Sequence, residues 1–135
     1  MKVLVSGNFD PFHYAHLDYI KKAAGWGDYL VCLVSSDIQV KLKKGQVNEP
    51  EQERAEILHL ILKGLDIPHW VLINTWDNGT SLVGKALKFI KPDIFCRGTD
   101  KKLEDMPIQE KKVCDELGIK IVHIKGKIVH GSEFK

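Results

Sequence analysis

The sequence predicts an α/β domain, a Rossmann-like, doubly wound parallel sheet of about five strands with helices on both faces. Three observations predict it. Strand-length apolar runs alternate along the chain with segments whose apolar residues recur every three or four positions. The runs are apolar on both faces, as strands buried between two helical layers must be. The residues able to do chemistry collect in the segments that follow the runs, where such sheets bind their ligands.

The first strand is Val3–Val5, and a helix from about His13 to Ala24 follows, with Leu17, Ile20 and Ala24 at helical spacing. Tyr29–Val34 is an uninterrupted apolar run of strand length. Pro50 opens a helix marked by Ala55, Leu58, Leu62 and Leu65. Trp70–Ile73 is the next strand, and Leu82, Ala86, Phe89 and Ile90 mark the next helix. Ile94–Cys96 is a short strand. A helix beginning near Pro107 carries Val113, Cys114 and Leu117, and Ile119–Ile124 closes the pattern. Right-handed crossovers between parallel strands turn this order into an open, doubly wound sheet. No repeat, linker or low-complexity tract interrupts it, so residues 1–135 are expected to form one domain.

Bulk properties narrow the class. The chain has 135 residues, 44% hydrophobic and 28% charged, with a net charge of +2. That balance suits a soluble globular domain, and its weak charge gives no reason to expect nucleic acid or a membrane surface as partner. The longest apolar run is far too short to cross a bilayer, and the first residues enter a strand instead of a signal-peptide pattern. Cys32, Cys96 and Cys114 are widely spaced and lie in apolar or helical segments. They are expected to be buried thiols in a reducing cytoplasm.

Five segments should line a common site after the successive strands: Gly7–His16, Ser35–Lys44, Asn74–Asn78, Arg97–Asp100 and Lys125–Ser132. The first is the most informative. His13 and His16 open a helix, and residues three apart on a helix have Cβ atoms roughly 5–6 Å apart. Both imidazoles then reach the volume above a helix N-terminus, where free N–H groups and the helix dipole favour anions. Gly7 is expected to let the backbone approach a ligand closely. Strand, glycine turn, paired histidines and helix start together describe a phosphate site.

Gly7-Asn8-Phe9-Asp10-x-x-His13-x-x-His16 resembles the G-x-F-D-x-x-H-x-G-H signature of the cytidylyltransferase-like nucleotidyltransferases. The similarity continues in Ser36-Asp37 with Lys44-Gly45, in Glu53-Arg54, in Lys91-Pro92-Asp93 leading to Arg97-Gly98-Thr99-Asp100, and in Lys127 to Ser132. The resemblance implies transfer of CMP or AMP from CTP or ATP to a small phosphorylated alcohol or sugar, with release of pyrophosphate. It implies that His13, His16 and Lys44 are the catalytic groups. Gly7, Asn8, Phe9, Asp10, Ala15, Arg97, Gly98, Asp100 and Ser132 would hold the nucleotide, and Lys43 and Arg54 the acceptor. Lys43 or Lys41 could share the role of Lys44, and Arg54 could instead brace the lysine loop. Mg²⁺ carried mainly by the triphosphate, a homodimer and a further helix after Ser132 are also implied.

The chain departs from the pattern at Ala15, where relatives carry glycine, and at His130-Gly131-Ser132, which keeps a single hydroxyl. These departures support the alternative of a nucleotide-binding module with weakened catalysis. A transition metal on the histidine pair is a further alternative, without an evident third ligand. Asp10 is expected to orient the loop or a histidine and not to act as a base. Trp70 and Trp76 are expected to pack, with Trp76 placed where it could cover the site. His59, His69 and His123 are expected to be surface or partly buried imidazoles, with His130, inside the last site segment, the exception.

Overall fold

A computed structural model describes residues 1–80, 82–98 and 106–125. Strands β1 (Lys2–Gly7), β2 (Tyr29–Ser35), β3 (His69–Asn74), β4 (Ile94–Gly98) and β5 (Lys120–Ile124) form one sheet. Its order is β3-β2-β1-β4-β5 and every pairing is parallel. The helices are α1 (Tyr14–Ala24), α2 (Asp37–Lys44), α3 (Glu51–Gly64), α4 (Gly84–Ile90) and α5 (Ile108–Leu117).

Side chains alternate between the two faces of a strand, so each apolar run serves two cores. Val3, Val5, Leu30, Cys32, Val34 and Ile94 point to a face covered by Ile20 and Ala23 of α1 and Leu58 and Leu62 of α3. Leu4, Val31, Leu33 and Phe95 point to the other, covered by Ala86, Leu87 and Ile90 of α4 and Val113 and Cys114 of α5. The fold is therefore the Rossmann-like arrangement that the alternating runs predict. The three cysteines are buried free thiols, and burial pushes Cys96 up to about 12 and Cys114 to about 11.

One element differs from expectation. The lysine segment after β2 reads as a loop, yet Asp37–Lys44 is a helix. Ser36 caps it by accepting the Gln39 N–H at 3.1 Å, and Gln39 Oε1 accepts the Ser36 N–H at 3.3 Å. This reciprocal capping box satisfies donors that a helix start otherwise leaves bare. At the other end Gly45 adopts φ +83° and donates its N–H to the Lys41 carbonyl. Lys41, Lys43 and Lys44 thus occupy a last helical turn, where the dipole favours cations.

The strand order reverses between β1 and β4. The chain leaves β1 toward β2 on one side, and β4 is followed by β5 on the other, which opens a crevice at their C-terminal ends. The register that sets Val3 against Ile94 brings the last residues of the two strands, Gly7 and Gly98, level.

Candidate active site

The loop from β1 to α1 lies at that crevice. Phe9 takes φ +50°, and the Asp10–Pro11 peptide is cis. Left-handed backbone is uncommon for a residue with a Cβ, and here it turns the Phe9 ring back onto the sheet. The ring lies 3.0–3.3 Å from where a Cβ on Gly7 would be. The space into which a Gly7 side chain would point is thus filled by Phe9. Phe9 itself is only 2% exposed and belongs to the core. Its ring meets His16 edge-on at 5.2 Å, so it supports the histidine from below.

His13 is the N-cap of α1 and His16 its third helical residue. Their rings stack with centres 3.8 Å apart and planes 22° apart. The His13 backbone N–H donates to His16 Nδ1 at 3.2 Å. In the neutral ring one nitrogen accepts and the other carries the proton, so this bond assigns the proton to Nε2. His16 is pushed down to about 4, first by burial and then by the positive charge of His13 and of Lys44. At neutral pH it is an uncharged imidazole with its Nε2–H free of the capping bond. His13 is exposed at the outer side of the stack.

Arg54, on α3, ties the surrounding loops together. It is 1% exposed. Its Nε donates to Glu49 O at 2.8 Å, and its Nη1 to Asn8 O at 2.8 Å and Ser35 O at 2.7 Å. Nη2 pairs with the Asp37 carboxylate at 2.8 Å. The ends of β1 and β2, the start of α2 and the approach to α3 are all held by one guanidinium. This is the bracing role, and it leaves Arg54 buried away from any acceptor phosphate. Asp10 reinforces it, accepting the Asn48 and Glu49 N–H groups at 2.8 Å each. Asp10 therefore orients the segment before α3; it is 2% exposed and both its carboxylate oxygens are engaged.

Lys44 ends α2, exposed, near enough for its charge to act on His16. Lys43 is also exposed on the same turn. Ala15 is half-buried in the first turn of α1, between the histidines, and Asn8 offers its carbonyl to Arg54. Arg97 is 7% exposed and lies on β4, with Gly98 ending the strand. Asp100 and Ser132, like Thr99, Lys127 and His130, lie outside the described residues. Trp76 packs its ring against Phe89 at 4.9 Å and is absorbed in the second core. Among the described residues no group of three His, Cys, Asp or Glu side chains is arranged to hold a metal ion, the histidine pair included.

Sequence reasoning gave no role to Asn48 and Glu49, and none as a partner of Arg54 to Asp37, although these hold the loops by their backbone or side chain. It also missed Gln39, whose amide donates to the carbonyls of Asp77, Thr80 and Leu82 at 2.8–3.1 Å. The available signal was the Ser36-x-x-Gln39 capping pattern followed by Gly45. Tyr19 gave no signal at all. It donates its hydroxyl to Cys96 O, one residue before Arg97, and burial holds its phenol far above the ordinary range.

A doubly wound parallel sheet with two stacked histidines at the helix start beside its switch point defines a Rossmann-like α/β protein. The cytidylyltransferase-like family model matches residues 4–129, and the chain belongs to that family of nucleotidyltransferases. The chain is 34% identical over 107 residues to the bifunctional protein HldE of Shewanella sediminis, matching 77% of this chain. It spans only 21% of the length of that relative. It is 31% identical to the FAD synthase of Pyrococcus abyssi over 127 residues, 93% of this chain and 79% of the relative. A crystal structure of a lipopolysaccharide core biosynthesis protein from Thermoplasma volcanium superposes with a TM-score of 0.71 at 27% identity. That match covers 95% of this chain and 98% of the other.

Proposed function

We propose that the protein transfers AMP from ATP to a small phosphorylated acceptor, releasing pyrophosphate. The observation that carries this reading is the stacked pair, with His16 kept neutral and presenting an N–H above the start of α1. Adenylyl transfer is favoured over cytidylyl transfer by the FAD synthase relative, whose product carries an adenylate. CMP transfer from CTP is the second reading, and the family's description favours it.

In the proposed reaction an oxygen of the acceptor phosphate attacks the α-phosphorus in line. A new P–O–P bond forms, and the bond to the β-phosphate breaks with its electron pair on pyrophosphate. The attacking oxygen is already anionic, so no general base is required, in keeping with the engaged carboxylate of Asp10. Negative charge grows on oxygens that are not yet fully neutralised, and fixed donors there lower the barrier without rearranging. His16 Nε2–H donates to one such oxygen, His13 lies beside it, and Lys44 brings a full positive charge from the end of α2. A neutral His16 donates without adding a further cation beside Lys44. Mg²⁺ would arrive on the triphosphate oxygens, where it needs few protein ligands and would neutralise phosphate charge.

The test is pyrophosphate release with Mg²⁺, ATP or CTP in turn, and a panel of sugar, polyol and nucleotide monoesters. Release with ATP and one acceptor class is expected. Release only with CTP would replace the adenylyl reading by the cytidylyl one. Nucleotide binding without release from any pair would favour the weakened binding module that Ala15 suggests. The homodimer implied by the family resemblance belongs to the same proposal: Ile38 and Leu42 of α2 are 54% and 59% exposed. A monomeric mass in solution by light scattering would remove it.

A further inference from the structure

His59 and His69 form a second histidine pair, unconnected with the site above. His59 lies on α3, while His69 is the first residue of the edge strand β3. The proposed active site gathers at the other, C-terminal end of the strands. Both rings line a groove that also contains Gln52, Glu56 and Trp70.

The proton positions follow from the bonds. His69 Nδ1 is 2.6 Å from Ile67 O, and a carbonyl only accepts, so Nδ1 carries a hydrogen. In the neutral ring His69 Nε2 is therefore a bare acceptor. It lies 2.8 Å from His59 Nδ1, which must donate. The ring centres are 5.0 Å apart, which is the contact distance plus the two ring radii. The facing nitrogens thus lie on the line between the rings, and their lone pairs point at each other. That geometry suits a shared hydrogen and not a metal ion, which needs two lone pairs converging on a third point.

We propose that this pair is an acid-sensitive latch between α3 and β3. One hydrogen between the facing nitrogens closes it. One further proton leaves it closed, because the added hydrogen goes to His59 Nε2 while Nδ1 still donates to His69. A second further proton places N–H groups on both facing nitrogens and two positive charges side by side, and the contact must open. Glu56, one turn before His59 and in the same groove, supplies counter-charge for the first added proton. Lys63, one turn after His59, opposes the second, and Asp66 stands in the turn between α3 and β3. β2 presents apolar Leu30 opposite His69. Opening loosens the start of β3 from α3, the helix that carries Arg54, while Val71 stays packed on the core that holds Leu58 and Leu62.

The experiment uses the full chain labelled with ¹⁵N. At about pH 7.5 a through-hydrogen-bond coupling between His59 Nδ1 and His69 Nε2 is expected, and at about pH 5 its loss. Over the same change the hydrogen-exchange protection factor of the Ile67 amide, which bonds Leu62 O, should fall severalfold. In His59→Phe, a substitution at an exposed position, that factor should be low at both pH values. His69→Phe should behave like His59→Phe. Absence of the coupling at about pH 7.5, or its survival at about pH 5, would overturn the latch. So would equal Ile67 protection in wild type and His59→Phe under both conditions.

Discussion

His16 carries the most chemistry of any residue, and its environment decides how. Burial, and after it repulsion from the neighbouring His13 and Lys44, takes it down to about 4 from the ordinary 6.5. The unfolded chain therefore binds a proton on this ring at a pH where the folded chain does not. The sign follows: stability is intact above about 6.5 and is lost as pH falls toward about 4. His16→Ala should flatten that part of the melting-temperature profile, as calorimetry between these limits would record. The same variant should lose about 10²–10³-fold in kcat, the cost of removing one preorganised donor, while still binding nucleotide. Arg54 acts differently. Lysine keeps the charge but cannot reach Glu49, Asn8, Ser35 and Asp37 together, and two buried carbonyls lose their donor. Arg54→Lys should cost about 3 kcal/mol in denaturant unfolding, because each unsatisfied buried group costs about 1–3 kcal/mol.

At the scale of elements, α2 is the part whose position depends most on local chemistry. It has eight residues, which is marginal for a helix without tertiary help. Ser36 both caps it and donates its hydroxyl to Asn78 at 2.7 Å. Ser36→Ala should cost about 1–2 kcal/mol from the lost cap and raise KM for the triphosphate by loosening Lys44. A normal KM in that variant would show that Gln39 and the Asp37–Arg54 pair hold α2 without the cap. The long elements were legible in the sequence: α1, α3 and α5 announce themselves by apolar spacing, and β1 and β2 by continuous apolar runs. α2 was not, because only Gln39 and Val40 among its eight residues are buried and its apolar pair, Ile38 and Leu42, is exposed. Its signals are its ends, Ser36 and Gly45, which act through hydrogen bonds and backbone shape.

At the scale of the whole molecule, the two cores on either side of the sheet hold the crevice open. Leu58 is fully buried in the first of them, one turn after Arg54 on α3. Leu58→Ala should destabilise the fold by about 2–5 kcal/mol, measured by urea unfolding, with KM unchanged below the transition. A KM that rose with it would mean that α3 transmits core strain to the loops held by Arg54. Sheet order also explains the choice of crevice. β1 and β4 are neighbours although far apart in the chain, so Gly7 and Gly98 end side by side and bring Arg97 to the same edge as the histidines.

Periodicity and composition determined the class of fold, since burial on one or two faces is a one-dimensional pattern that the chain must carry. The spacing of His13 and His16 likewise placed both rings at one helix start, because three residues make nearly one turn. Only the tertiary structure decided what surrounds them. Phe9 occupies the space beside Gly7, Arg54 is a buried brace, and His16 is neutral with its proton on Nε2. Each of these depends on groups distant in sequence meeting in a dry volume. Desolvation and hydrogen-bond direction arise only when those groups are brought together.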